Sequence, residues 1–236
     1  AALRDTREGR QERFAAAEPF YLVIDEINRG NVANIFGELI TLVETDKRLG
    51  NENELIVELP YSKTSFGVPS NLYLIGTMNT ADRSVEALDA ALRRRFSFVD
   101  CPPDPSAIAN PDGFEVDLRK LLEALNSRIE LVLDRDHRIG HAYFTDIAES
   151  EDPLEALREA FRLKVIPQLE EYCYGATEKI ARILGPGFVQ CEKSGYALFE
   201  GDGEGPDDDR SVWKIEIPAD AAAFKALYEQ GIRSSS

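Results

Sequence analysis

Two apolar runs without alternation dominate the first half of the chain: Phe20-Tyr21-Leu22-Val23-Ile24, and Leu72-Tyr73-Leu74-Ile75 continuing through Gly76 and Thr77 to Met78. Runs of this kind suit strands buried on both faces of a parallel sheet, with polar groups only where the strand emerges. The first run ends in Asp25-Glu26 and the second in Asn79-Thr80-Ala81-Asp82-Arg83-Ser84, so both predicted strands carry polar residues at their carboxyl ends. Between them Val32, Ile35, Phe36, Leu39, Ile40 and Val43 recur at three and four residues, which predicts a helix over 32–44 laid on the sheet. Asn28-Arg29-Gly30-Asn31 supplies turn and N-cap chemistry ahead of it. An extended piece over 54–59, Pro60-Tyr61, and a second piece over 66–69 predict a β-hairpin before the second long strand. Ser84 can cap a helix over 85–94 that closes on Arg93, Arg94 and Arg95, and a core strand is expected over 96–99. Residues 1–18 are charged and alanine-rich, and read as the end of a helix or a linker.

Cys101-Pro102-Pro103-Asp104-Pro105 is the clearest break in the pattern, and the domain boundary is expected at 103/104. Beyond it the period turns helical. Leu118, Leu121, Leu122, Leu125, Ile129 and Val132 predict a helix over 116–133, and Leu154, Leu157, Phe161, Val165 and Leu169 another over 153–172, with Pro167 kinking or breaking it. A third helix is expected over 176–184, ended by Gly185-Pro186-Gly187. Two strands, 188–199 and 212–217, flank the acidic stretch 200–210, which reads as a solvated loop. Pro218 opens a last helix reaching 230, and the remaining residues read as a disordered end.

Length and charge then narrow the function. A chain of 236 residues can bury a real core, and its net charge of -16 argues against broad electrostatic binding of nucleic acid by the chain itself. Cys101, Cys173 and Cys191 form no CxxC, and no stretch is long enough to span a membrane, so a cytoplasmic protein with ordinary thiols is expected. His137 and His141 lie at i and i+4, but without HExxH and without a predicted helix beneath them a zinc site is not expected.

The acid pair at the first strand's end is what nucleoside triphosphate hydrolysis requires. Asp25 can hold Mg²⁺ through its water shell while Glu26 points elsewhere and activates a water, the arrangement known as Walker B. A strand ending in a polar sensor and a cluster of three arginines follow it in order. The segments DEINRGN, MNTADRS and LRRRFSF, with IGHAYF and IPQLEEYCYGATEKI further on, closely resemble the McrB-type AAA+ NTPases of modification-dependent restriction systems over roughly 20–185. MNTADRS is the most specific of these.

The resemblance implies an α/β fold: a partial AAA+ P-loop NTPase core over 1–103, followed by a helical lid with a small β-hairpin over 104–236. It implies that Asp25 supports Mg²⁺, that Glu26 is the general base or water-positioning group, that Asn79 is the sensor and that Asp82 organises the same loop. Arg94 and Arg95 are then trans-acting fingers in a neighbouring subunit's nucleotide site, with Arg93 a third. It further implies GTP, with ATP open, a ring oligomer (a hexamer), an McrC-like nuclease partner, and DNA engaged through regions outside this chain. Alternatives are a MoxR-like ATPase that remodels proteins and a non-hydrolysing binding module. The sequence contains no Gly-Lys dipeptide and so no G-x-x-x-x-G-K-[ST] loop. The expectation is therefore an N-terminally truncated core lacking the phosphate-loop strand, inactive by itself.

Overall fold

The computed structural model describes residues 3, 5–81, 90–193 and 211–230. The chain divides into two compact units, Ala1–Asp100 and Cys101–Ser236.

In the N-terminal unit Thr6 caps helix α1 (Arg7–Ala15), its hydroxyl accepting the Gly9 N–H at 3.2 Å. Strand β1 (Phe20–Ile24) pairs in parallel with a later strand over Leu72–Gly76, in register from Phe20↔Leu72 to Ile24↔Gly76. The two apolar runs therefore do form neighbouring parallel strands, but the expected burial on both faces does not hold. Phe20 is 66% and Val23 61% exposed, because no layer of described residues covers either face of the pair. Tyr21 and Tyr73, directly opposite in the register, stack with centroids 5.5 Å apart.

The continuous helix expected over 32–44 is also corrected. Asn31 caps α2 (Val32–Phe36) by accepting the Asn34 N–H at 2.9 Å, but at Gly37 the backbone takes φ +51°, and a 3₁₀ helix runs over Gly37–Val43. A left-handed residue cannot continue an α-helix, so the face is split: Val32 and Val43 are buried while Ile35 is 73% exposed. The predicted hairpin is present in short form as β2 (Val57–Glu58) and β3 (Ser65–Phe66), antiparallel. β4 is the Leu72–Gly76 strand, and α3 covers Ala90–Arg93. No strand forms over 96–99; Phe98 and Val99 are exposed, with no neighbouring strand among the described residues to receive their backbone groups.

Buried polar contacts tie this small unit together. Arg10 reaches Glu54 with both ends of its guanidinium, one of them Nε–Oε2 at 3.1 Å, and also donates to the Asp5 carbonyl. Gly50 sits beneath α1 at φ +90°, where a Cβ would lie 2.9 Å from the Gln11 backbone. Buried Arg48 donates to the carbonyls of Val43, at 3.0 Å, and Leu72, tying the 3₁₀ helix to β4, and its burial pulls its pKa down.

The C-terminal unit holds one extensive core. It is built by α4 (Leu118–Val132), α5 (Pro153–Ala160), α6 (Ile166–Tyr172), α7 (Thr177–Leu184), α8 (Ala221–Glu229) and the antiparallel pair β5 (Val189–Lys193) and β6 (Ser211–Ile215). Between α5 and α6 the chain widens into a π-helix over Phe161–Val165. Pro167 offers no N–H to the preceding turn and its ring presses on the carbonyl four residues back; the widened turn accommodates it, and Phe161 and Val165 remain buried.

Phe144, Phe161, Phe188 and Phe224 pack as an aromatic cluster with centroids 5.1 to 6.2 Å apart. Buried Asn126 accepts from the Ile139 N–H at 2.7 Å and donates to the Ile139 carbonyl at 3.0 Å, which pins the loop after α4 onto that helix. His137 is buried there against Asp134 at 2.6 Å and edge-on to Tyr172, and the His141 Nδ1 accepts the Asp104 N–H at 3.0 Å. Each histidine thus has a structural partner of its own. The acidic stretch 200–210 and residues 231–236 lie outside the described residues.

Candidate functional site at the carboxyl edge of the parallel pair

The parallel register makes β1 and β4 end side by side, which brings Asp25 and Glu26 next to Thr77. Four hydrogen bonds stitch the two strand ends: the Thr77 N–H donates to the Ile24 carbonyl at 3.0 Å, the Ile27 N–H to the Thr77 carbonyl at 2.9 Å, the Glu26 N–H to Thr77 Oγ1 at 2.9 Å, and Thr77 Oγ1 to Asp25 Oδ1. Glu26 lies in the left-handed region at φ +50°, uncommon for a residue with a side chain. Arg29 meets the Glu26 carboxylate at 2.6 Å across one turn, while its N–H closes that turn on the Glu26 carbonyl at 2.8 Å. Beneath, the Ile27 side chain lies against Gly76, where a Cβ would come within 3.0 Å of it.

Asn79 joins the same edge. Its carbonyl accepts from Asn28 Nδ2 at 3.3 Å, and its Oδ1 accepts the Ala81 N–H at 3.1 Å. With the oxygen engaged by its own loop, the side chain presents its amide N–H₂, a donor suited to a phosphate oxygen or a water. Asp25, Glu26 and Asn79 are thus gathered at one strand edge, where open α/β sheets bind ligands. Asp82 lies outside the described residues.

The three arginines part company. Leu92 packs with Ile27 and Val32, which sets α3 beside the turn after β1. Arg95 is mostly buried and paired with Glu44 of its own chain at 2.8 Å, whereas Arg93 lies 5.9 Å over the Phe98 ring. Arg94 is exposed and forms no ion pair among the described residues. Sequence reading did not single out Thr77, Arg29 as a partner of Glu26, or Glu44 as the partner of Arg95. Only the parallel register could have pointed to Thr77, as the residue one step beyond Gly76 and so opposite Asp25.

An exposed carboxylate with one oxygen fixed by a hydroxyl fits Mg²⁺, which takes one or two protein carboxylates and completes its shell with water and phosphate. No Gly-Lys dipeptide of the kind found in phosphate-binding loops occurs in the sequence. Among the described residues no cluster of three or more His, Cys, Asp or Glu forms an all-protein metal cage, and no helix is long and apolar enough to cross a membrane.

A parallel strand pair with polar residues at both carboxyl ends, followed by a helical unit, fits the AAA+ class. In accord with this, residues 4–96 match the AAA domain family (dynein-related subfamily). Residues 117–181 match the McrB alpha-helical lid domain. The chain is 39% identical over 172 residues to the type IV methyl-directed restriction enzyme EcoKMcrB subunit of Escherichia coli K12, covering 66% of this chain and 37% of that one. It is also 35% identical over 89 residues to the type II restriction enzyme BsuMI component YdiS of Bacillus subtilis 168, covering 34% of this chain and 26% of that one. The chain belongs to the McrB-type AAA+ proteins, and spans well under half the length of either relative.

Proposed function

We propose that this chain is part of the nucleotide-hydrolysing motor subunit of a modification-dependent DNA restriction system. The observation that carries the reading is the convergence of Asp25, Glu26 and Asn79 on one edge of the parallel pair, each held by a different backbone or side-chain contact. Asp25 holds Mg²⁺ through water, an ion that when bound neutralises charge on the phosphates. Glu26 accepts the proton of the attacking water. Asn79 donates its amide to the water or to the terminal phosphate, and Asp82 organises the sensor loop. Arg94 reaches the nucleotide of a neighbouring subunit; Arg93 and Arg95 stand behind it, Arg95 braced by Glu44.

GTP is the nucleotide favoured by the McrB resemblance, with ATP the alternative. The same resemblance supports a ring, a hexamer, with a nuclease partner of the McrC kind and DNA bound elsewhere in the assembly; the names of both relatives support a restriction role.

The test is Glu26→Gln in the full-length parent. Removing the base while keeping its shape should lower turnover by at least ~100-fold with nucleotide binding and assembly intact. Turnover within about twofold of wild type would remove Glu26 from the chemistry.

A further inference from the structure

We infer that Thr77 is the positioning residue for both acids of the hydrolytic site. The inference rests on the assignment of Asp25 to the metal and Glu26 to the water.

A threonine hydroxyl has one proton to give and two lone pairs with which to accept. An ionised carboxylate can only accept and a backbone N–H can only donate, so the directions at Thr77 are fixed: its proton goes to Asp25 Oδ1 and a lone pair receives the Glu26 N–H at 2.9 Å. One hydroxyl thereby does two things. It holds one Asp25 oxygen, leaving the other to face the ion's water shell. It also anchors the Glu26 backbone, which lies at φ +50°. A non-glycine residue in that region is disfavoured and persists only where its surroundings over-determine it.

The backbone bonds on either side, from Thr77 N–H to Ile24 and from the Ile27 N–H to Thr77, fix the residue's place whatever its side chain. They would survive replacement of the hydroxyl. Valine, which shares the β-branched shape and favours strands, keeps the packing and removes both side-chain bonds. Serine keeps the hydroxyl.

The experiment compares Thr77→Val and Thr77→Ser in the full-length parent by three readouts. These are Mn²⁺ titration followed by paramagnetic resonance in the presence of a non-hydrolysable nucleotide, the exchange rate of the Glu26 amide, and the Mg²⁺ dependence of kcat. Partners of this kind typically change metal affinity or activity by about 10–100-fold. Thr77→Val is therefore expected to weaken Mn²⁺ binding and lower kcat by at least ~10-fold and to speed exchange at Glu26, with Thr77→Ser restoring all three to within about threefold. Metal affinity and kcat of Thr77→Val within about twofold of wild type would overturn the role, as would a serine variant as impaired as the valine one. Should Thr77→Val not assemble, Thr77→Ala carries the same comparison. Glu26→Gln measured alongside separates the two readings. If it turns over normally, the assignment of the acids fails; if it is inactive while Thr77→Val is normal, only the role of Thr77 fails.

Discussion

At the residue scale the N-terminal unit depends on charges that are buried and answered. Arg10 and Glu54 have side chains only 7% and 14% exposed, and Glu54 also accepts the Gly50 N–H at 2.8 Å. The Arg10 hydrogen bonds hold the Glu54 pKa below the ordinary glutamate value, with burial opposing and the Gly50 bond adding to the shift. A carboxylate depressed in this way contributes stability that is complete above its unfolded pKa of about 4.3 and is lost as pH falls through the lower folded value. Glu54→Gln leaves Arg10 without its counter-charge, a change that costs about 3–5 kcal/mol for a buried pair. The protection of α1 amides, compared between wild type and Glu54→Gln at each pH, should differ most at pH 7 and narrow as pH falls from about 4.3 through the lower folded value. A difference that stays constant from pH 7 to pH 3 would mean that the pair does not hold the helix.

At the element scale, helix ends show most directly how sequence becomes structure. Asp117 caps α4 by accepting the N–H groups of Arg119 at 3.1 Å and Lys120 at 3.2 Å, and it also receives Asn110 Nδ2 at 3.0 Å. Burial pushes its pKa up, but these hydrogen bonds and Lys120 more than offset that, and the net shift is downward. At the far end of the same helix Arg128 donates to the carbonyls of Ile183 and Leu227, so α4 also satisfies residues at or near the ends of α7 and α8. Asp117→Ala should lower the stability of the C-terminal unit by about 1 kcal/mol, seen as a shift of the urea midpoint without a change in slope. No shift at neutral pH would show that solvent replaces the cap without cost.

At the scale of the whole molecule, the proposed role of the arginines requires subunits to meet. Arg95 is paired in its own chain and Arg93 lies over Phe98, so Arg94 is the arginine proposed to act on a neighbour. In the full-length parent, Arg94→Ala and Glu26→Gln are each expected to be inactive alone. Mixed together they should recover part of the lost hydrolysis, because a finger of this kind is worth roughly 10³–10⁵ in rate and each variant supplies what the other lacks. Mixtures as inactive as either variant would place the role of Arg94 within its own subunit.

Much of this architecture can be read from the order of residues. The runs 20–24 and 72–76 become the parallel strands, the periodicity of Leu118 to Val132 becomes α4, and the run 153–172 becomes α5 and α6, with Pro167 just past the widened turn between them. These are local signals, fixed by period, cap and ring geometry, and the acids at the first strand's end follow from them. The sequence alone also placed Asn79 after the second strand. What it missed depended on partners distant in the chain. Whether 96–99 forms a strand depends on a neighbour to pair with, and whether Phe20 to Ile24 is buried depends on a covering layer; neither is a property of those residues. In the same way, the Arg95–Glu44 pair joins residues 51 apart, and the Thr77 bonds to Asp25 and Glu26 join residues 52 and 51 apart. The sequence by itself determined which acids, amide and arginines stand at the element ends, because element type follows from local chemistry. Only the tertiary structure decided which hydroxyl bonds to the acids and which arginine pairs within its own chain, because hydrogen bonds and ion pairs form between groups that folding brings within about 3 Å.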